Sequence, residues 1–153
     1  MLLYLFLAIY FFILITVFIY ASHRYYMVYL YYKHQKDKPA PAGKLERLPR
    51  VTIQLPVYNE MYVVKRLISA SCNIDYPKEL LDIQVLDDST DETANVAEEC
   101  VNNFKKQGFD IHYIHRKERT GFKAGALAEG LKIAKGEYIA VFDADFVPSS
   151  DVL

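Results

Sequence analysis

The chain has 153 residues, of which 52% are hydrophobic, with 18 Lys and Arg residues, 19 Asp and Glu residues and no Trp. That length allows at most one domain once any membrane segment is set aside. Residues 51–153 carry 11 basic and 17 acidic side chains, which argues against nucleic acid as a partner because phosphate backbones select basic surfaces.

The chain begins with a long apolar run. No charged side chain occurs from Leu2 to Ser22, and about 20 such residues suffice to cross the hydrocarbon core as a helix. A removable signal peptide is the weaker interpretation, because no basic stretch precedes the run and no small-residue cleavage site follows it. Residues 21–50 contain seven basic and two acidic side chains, a balance that favours the cytoplasmic side of a membrane. We predict one transmembrane helix and a juxtamembrane aromatic segment over residues 1–33, membrane lipid as a partner, and the C-terminal domain in the cytoplasm.

Strand and helix patterns alternate after a polar segment. Residues 34–50 mix charge with Pro and Gly, which predicts a linker. Beyond it, periodicity predicts strands over 51–55, 81–88, 110–115 and 137–142 and helices over 60–73, 89–108 and 123–136. Pro56 is expected to end the first strand. Such alternation predicts a parallel, doubly wound α/β sheet.

Some common site motifs are absent. Cys72 and Cys100 lack metal-ligand spacing and fall on the apolar sides of predicted helices, so we expect reduced core thiols. Neither the phosphate-binding loop G-x-x-x-x-G-K-[ST] nor the dinucleotide motif G-x-G-x-x-G occurs.

Carboxylates follow three of the predicted strands, as Glu60, Asp87 and Asp88, and Asp143 and Asp145. Parallel strands present their carboxyl ends at one edge of the sheet, where ligands gather, so we expect these side chains to share one crevice. Their mutual repulsion requires a cation, and oxygen ligands favour Mg²⁺ or Mn²⁺ over zinc. Aspartate is also common in turns and at helix starts. We therefore interpret Asp91 as an acidic residue in the first turn of a helix, and Glu60 could have the same structural role.

Lys123 stands at the start of the last predicted helix, in "TGFKAGAL". A lysine beside free backbone N–H groups can meet an anion there. A solvated helix lysine is an equally good interpretation of this feature alone.

Four segments together resemble family-2 glycosyltransferases: "VTIQLPVYNE", "IQVLDDSTDET", "GFKAGALAEG" and "YIAVFDADFVP". They look most like the processive, membrane-bound branch that contains cellulose synthases and the cellulose-synthase-like mannan and glucan synthases. The resemblance covers residues 51–153. It implies the nucleotide-binding, amino-terminal half of a GT-A (nucleotide-diphospho-sugar transferase) fold. The implied activity is transfer of a hexose, with inversion, from a nucleotide sugar to a growing polysaccharide.

The resemblance also implies roles for particular residues. The segment from Pro56, with Tyr58 and Glu60, would line the nucleoside pocket, and Asp88 would contact the base. Lys123 would lie near the diphosphate. Asp143 and Asp145 would form the Asp-x-Asp motif that binds the metal, and Asp87 would contact the donor or orient its loop. The donor would be of the UDP-glucose or GDP-mannose type, and a glycan would be the acceptor.

The chain departs from the family pattern in what it lacks. The family's catalytic base, an Asp usually within Thr-Glu-Asp, and its Gln-x-x-Arg-Trp motif are absent from these residues. Deprotonation of an acceptor hydroxyl needs a positioned base, so we expect that base beyond Leu153 and predict that this chain alone is inactive. A non-catalytic nucleotide-sugar-binding remnant or partner subunit is the alternative. A phospho-acceptor signalling domain would also cluster Asp residues around Mg²⁺, but it requires an acid pair after the first strand and a lone Asp after the third. Here "PVYNE" follows the first strand and "IHR" follows the third, so this alternative is excluded. The sequence leaves open the donor, linkage, acceptor, oligomeric state and whether 153 residues are the natural length.

Overall fold

The structure is a computed structural model that describes residues 1–37 and 47–153. Most of the predicted linker, residues 38–46, therefore lies outside the described residues. The described residues belong to two units, an amino-terminal helix and an α/β unit, and each is described by itself below.

The amino-terminal helix, α1 (Leu2–His34), buries none of its 33 residues. At about 1.5 Å per residue it measures about 50 Å, which exceeds the roughly 30 Å of a bilayer's hydrocarbon core. The hydroxyl of Thr16 donates a hydrogen bond of 2.9 Å to the carbonyl oxygen of Phe12, so this polar group is satisfied within the helix. By length and composition, α1 is a candidate membrane span.

The α/β unit alternates strands and helices as the sequence predicted. Its elements are β1 (Val51–Val57), α2 (Met61–Cys72), a 3₁₀ turn (Lys78–Leu80), β2 (Leu81–Asp87), α3 (Thr93–Lys106), β3 (Ile111–His115), α4 (Phe122–Leu131) and β4 (Tyr138–Val141). The four strands form one sheet in the order β3-β2-β1-β4. All three strand pairings are parallel, which confirms the predicted parallel sheet.

The two faces of the sheet differ in chemistry. Alternate side chains such as Ile53, Leu55 and Ile83 join the hydrophobic core formed with α2 and α3. The other face packs on α4 and carries buried polar pairs in register between β1 and β2. Thr52 donates to Asp82 at 2.8 Å, and Gln54 donates to Gln84 at 3.1 Å, so one hydrogen bond joins each pair across the strands. Asp82 Oδ1 and Gln84 Nε2 are buried without a hydrogen-bond partner among the described residues.

The prediction that Pro56 ends the first strand was wrong, because β1 continues to Val57. The carbonyl oxygen of Gln54 accepts from Phe142 on the β4 side, whereas that of Val57 accepts from Asp88 on the β2 side. Successive peptide groups point to alternate sides, so Pro56 faces the β4 side, beyond the last pairing of β4 with β1 at Gln54. Its missing N–H therefore costs no ladder bond.

The prediction that the last helix runs to Gly136 was also wrong, because α4 ends at Leu131. The backbone N–H of Lys135 donates to the Asp82 carboxylate at 3.0 Å, and that of Gly136 donates to the Thr52 hydroxyl at 2.8 Å. These side chains of β1 and β2 take the N–H groups that a longer helix would have used.

Both cysteines are buried and form no disulfide. Cys72 lies in α2 and Cys100 in α3, where both join the core. Burial raises the pKa of the Cys72 thiol to about 12, so it remains a neutral packing group at physiological pH.

Candidate functional site

A cleft of about 470 Å³ opens at the carboxyl edge of the sheet. It collects most of the residues that the sequence singled out. The predicted site residues that line it are Pro56, Tyr58, Glu60, Asp88, Lys123, Asp143 and Asp145. These residues come from the ends of β1, β2 and β4 and from the start of α4.

Asp143 and Asp145 line the cleft from a turn that follows β4, in which the backbone N–H of Phe146 donates to the Asp143 carbonyl oxygen at 2.9 Å. Phe142 and Ala144 are buried, whereas Asp143 and Asp145 are exposed. The backbone N–H of Phe142 still donates to the Gln54 carbonyl oxygen at 3.2 Å, which holds this segment beside β1. Two carboxylates separated by one buried residue therefore face the same opening.

Glu60 adds a third carboxylate to the cleft. It precedes α2, and its side chain makes no capping hydrogen bond to that helix. The pKa of Glu60 lies above its usual value, first because the carboxyl is partly buried and then because Asp145 and Asp143 lie nearby. These carboxylates are oxygen donors of the type that a hard divalent cation binds, although among the described residues their ligand atoms do not all lie within 4.8 Å of one another.

Lys123 lies in the first turn of α4, and its ammonium group forms an ion pair with Asp143. Gly121 adopts φ = 72° immediately before the helix, a left-handed conformation that glycine accepts without a steric cost. The cleft thus holds a cation at a helix amino terminus beside the Asp-x-Asp pair.

Asp88 occupies the base of the cleft and is held by Arg116. The guanidinium donates to the two carboxylate oxygens at 2.7 and 2.6 Å. The same arginine donates to the carbonyl oxygens of Thr120 and Phe122 at 3.0 Å each. Arg116 therefore ties the end of β2 to the loop that leads into α4.

The expectation that Asp87 faces the cleft is not met. Asp87 is fully buried. It accepts hydrogen bonds from the Ser89 backbone N–H at 2.9 Å and the Tyr113 hydroxyl at 2.6 Å, and His115 Nδ1 lies 3.0 Å from it. Burial, and then the bond to Asp87, raise the pKa of Tyr113. Asp87 ends a strand and alternates with Asp88, so its side chain turns towards β3 while that of Asp88 turns towards the cleft.

Sequence reasoning missed two arginines and one asparagine. The guanidinium carbon of Arg119 lies 3.4 Å from the centre of the Tyr58 ring, a cation–π contact. Asn59 joins two strand ends, since its backbone N–H donates to the Ser89 hydroxyl and its side-chain oxygen accepts from Thr90 N–H, both at 2.9 Å. The signal for Arg116 and Arg119 was available, because "RKERTGF" places basic residues just before a helix that enters a carboxylate-lined edge.

A second group of possible metal ligands lies outside the cleft. Asp82, Asp110 and His112 each offer one ligand atom, and these atoms lie within 4.8 Å of one another. They belong to the amino-terminal ends of β2 and β3. The ammonium of Lys135 already contacts both oxygens of Asp110 at 2.9 and 2.8 Å. This group could hold a metal ion, but a protein cation already meets one of its carboxylates.

The sequence model named Glycosyl transferase family 2 matches residues 52–153, which include the cleft and all four strands except the first residue of β1. Among curated proteins, the chain is 40% identical over 143 residues to glucomannan 4-beta-mannosyltransferase 7 of Arabidopsis thaliana. That alignment covers 83% of this chain and 26% of the relative. The chain is 48% identical over 110 residues to probable glucomannan 4-beta-mannosyltransferase 11 of Oryza sativa subsp. japonica, with 69% of this chain and 19% of the relative covered. The chain thus spans about a quarter or less of these relatives.

A solved structure shares the fold. A mannosyltransferase from Pyrobaculum calidifontis, in complex with GDP-Man and Mn²⁺, superposes with a TM-score of 0.71 and 28% sequence identity. The superposition covers 85% of this chain and 38% of that protein. These comparisons confirm the resemblance to family-2 glycosyltransferases and the GT-A fold.

Proposed function

The chain belongs to glycosyltransferase family 2, and we propose that it provides the donor-binding part of a membrane-anchored glycosyltransferase. The enzyme transfers a hexose, with inversion, from a nucleotide sugar to a growing polysaccharide. The observation that supports this most directly is one cleft containing the Asp-x-Asp carboxylates, Lys123 and Asp88. In this proposal the Asp-x-Asp carboxylates bind a metal, Lys123 binds the diphosphate and Asp88 binds the base of one ligand.

Each group has a chemical task in this proposal. Asp143 and Asp145, with Glu60 nearby, hold Mg²⁺ or Mn²⁺ through carboxylate oxygens. When bound, the metal supplies positive charge that stabilises the leaving diphosphate. Lys123 directs its ammonium group at the same phosphates, helped by the free N–H groups at the start of α4.

The nucleoside lies, in this proposal, between the ends of β1 and β2. Tyr58 offers an aromatic face that Arg119 already covers on one side. Asp88 offers carboxylate oxygens that Arg116 holds in a fixed orientation. Tyr58, Asp88 and Arg119 also line a second depression of about 490 Å³, so this region has room for a planar base beside the phosphate groups.

We propose a donor of the GDP-mannose type, a glycan acceptor and a cytoplasmic location for the α/β unit. The names of the curated relatives and the GDP-Man complex of the Pyrobaculum enzyme support this choice of donor. The basic residues that follow α1 support the orientation. Lipid then surrounds α1, whose side chains are exposed along its length.

The test is donor binding by the full chain in detergent micelles. Equilibrium dialysis with labelled GDP-mannose and UDP-glucose, with and without Mn²⁺, should show saturable, metal-dependent retention of GDP-mannose. Asp145→Ala should abolish it without changing membrane insertion, measured by alkaline extraction of membranes. Asp151→Ala removes another exposed acid near the same end of the chain and should bind as the wild type does. Equal donor binding by Asp145→Ala and wild type would contradict the proposed site.

A further inference from the structure

The ion pair between Lys123 and Asp143 joins two sides of the cleft. Lys123 lies on α4, and Asp143 follows β4, twenty residues later in the chain. Their side chains are 50% and 56% exposed, respectively. Exposed ion pairs of this kind are weak and are screened by solvent, so a stronger ligand of either group can separate them.

The carboxylates of the cleft need positive charge. Glu60, Asp143 and Asp145 line it together, and the Glu60 carboxylate is repelled by both Asp145 and Asp143. Among the described residues, neither Glu60 nor Asp145 has an ion-pair partner. The lysine ammonium is therefore the protein cation that contacts this set directly, and it does so at one of the two Asp-x-Asp carboxylates.

We propose that Lys123 is an internal counter-ion that competes with the divalent metal for Asp143 and moves to the donor's diphosphate when metal and nucleotide are both bound. This inference rests on the proposed function and concerns the same cleft. The ammonium repels the metal while it stays on Asp143, and it attracts the phosphates once it leaves. One side chain therefore weakens metal binding alone and strengthens the binding of metal and nucleotide together.

The consequence is a reciprocal coupling between the two ligands. A nucleotide diphosphate that draws Lys123 away from Asp143 frees a metal ligand, and the metal in turn frees Lys123 for the phosphates. Thermodynamic linkage requires that each ligand raises the affinity for the other by the same factor. Lys123 has the length and flexibility to serve both positions, because a lysine carries its charge on a four-carbon stem.

The first experiment measures Mn²⁺ binding without nucleotide, by electron paramagnetic resonance of the free ion, on the full chain in detergent micelles. Lys123→Gln should bind Mn²⁺ about 3- to 10-fold more tightly than wild type, since a neighbouring positive charge and its competition for Asp143 are both removed. Lys123→Arg keeps the charge and should stay within about threefold of wild type. Lys132→Gln is the matched control, because Lys132 directly follows α4 and pairs with Glu129.

The second experiment measures labelled GDP binding at saturating Mn²⁺ by equilibrium dialysis. Lys123→Gln should bind GDP at least about 10-fold more weakly, because a charge-assisted bond to phosphate is lost. Opposite effects of one variant on the two ligands support the inference. Unchanged or weaker Mn²⁺ binding by Lys123→Gln overturns it, and so does the absence of Mn²⁺ binding in both proteins. Asp145→Asn separates the two proposals, since equal Mn²⁺ binding by that variant and wild type contradicts the proposed metal site itself.

Discussion

The carboxylate of Asp88 lies against the guanidinium of Arg116, with two parallel hydrogen bonds of 2.7 and 2.6 Å. The side chains are only 4% and 15% exposed, respectively, which makes this a buried pair rather than a surface pair. The bond raises the pKa of Arg116, so the arginine stays charged throughout the physiological range. Arg116 also binds the backbone on both sides of Gly121. The pair therefore connects the end of β2 to the loop that presents Lys123.

Arg116→Gln should destabilise the α/β unit by about 2–4 kcal/mol, because it leaves a nearly buried carboxylate with only the more distant Arg119 Nε, at 3.9 Å, as a cationic neighbour. The thermal unfolding midpoint in detergent micelles measures this loss. Arg116→Lys keeps the charge but loses the two-pronged geometry, so it should recover only part of the stability. In a double-mutant cycle, Asp88→Asn should cost much less in the Arg116→Gln background than in wild type. Additive losses would show that the two side chains are not coupled.

Asp87 and Asp145 should respond differently to the same substitution. Asp87→Asn places an amide group where a buried carboxylate accepts hydrogen bonds from Ser89 and Tyr113, so it should cost about 1–3 kcal/mol of stability. Asp145 is exposed, and Asp145→Asn should change stability by less than about 0.5 kcal/mol in a metal-free buffer.

The response of the unfolding midpoint to added Mn²⁺ tests whether Asp145 binds the metal. Added Mn²⁺ should raise the unfolding midpoint of wild type by mass action, and it should leave that of Asp145→Asn unchanged. This assignment makes Asp87 a structural residue and Asp145 a metal-binding residue. A large loss of stability in metal-free Asp145→Asn, or an equal response of both proteins to Mn²⁺, would contradict it.

The sequence predicted the sheet and most of the cleft because those features depend on local patterns. Alternating apolar residues define β1 and β2, and carboxylates directly after strands must emerge at the carboxyl edge. The same rule could not separate Asp87 from Asp88, since which of two adjacent side chains faces the cleft depends on the exact end of β2. Asp87 is bound by Tyr113 and His115, which lie in β3 and are distant from it in sequence.

The two wrong boundaries have a common origin in long-range contacts. The end of α4 at Leu131 is set by hydrogen bonds from Lys135 and Gly136 to side chains on β1 and β2. The continuation of β1 through Pro56 depends on where β4 stops pairing. Neither relationship can be obtained from periodicity within a single segment.

Glu60 should make the stability of the metal-free protein fall as pH rises. Its pKa in the folded protein is raised above the ordinary 4.5, so the folded state holds this proton more tightly than the unfolded state does. The contribution is fully present below pH 4.5 and is lost as pH rises through the higher, folded pKa. Glu60→Gln should remove this dependence and leave the variant more stable than wild type at pH 7.

Unfolding midpoints measured from pH 4 to pH 8 in a chelating buffer test this expectation. Glu118→Gln changes an exposed glutamate in the loop before α4 and serves as the control for the change of charge alone. Parallel pH curves for wild type and Glu60→Gln would show that the carboxylates of the cleft do not repel one another enough to affect folding.

Gly125 provides the space in which Arg116 reaches the loop before α4. A Cβ atom at Gly125 would overlap the carbonyl oxygen of Thr120 and lie 2.8 Å from Arg116 Nη1. Backbone and a buried ion pair surround this site, so neither neighbour can move away cheaply. Gly125→Ala should therefore cost at least about 3 kcal/mol, despite alanine's better helix propensity, and should weaken GDP binding through displacement of Lys123.

Gly108→Ala is the matched comparison for this substitution. Gly108 has φ = 86°, and no atom of the described residues lies within 4 Å of an added Cβ, so the cost there is conformational only, about 1–2 kcal/mol. Gly108 follows α3, and its substitution should leave the GDP affinity of the folded protein unchanged. If steric contact at Gly125 positions the loop, the two variants differ in both unfolding midpoint and GDP affinity. Equal losses of stability with equal GDP affinities would mean that the close approach at Gly125 plays no part in holding Arg116 and Lys123 in place.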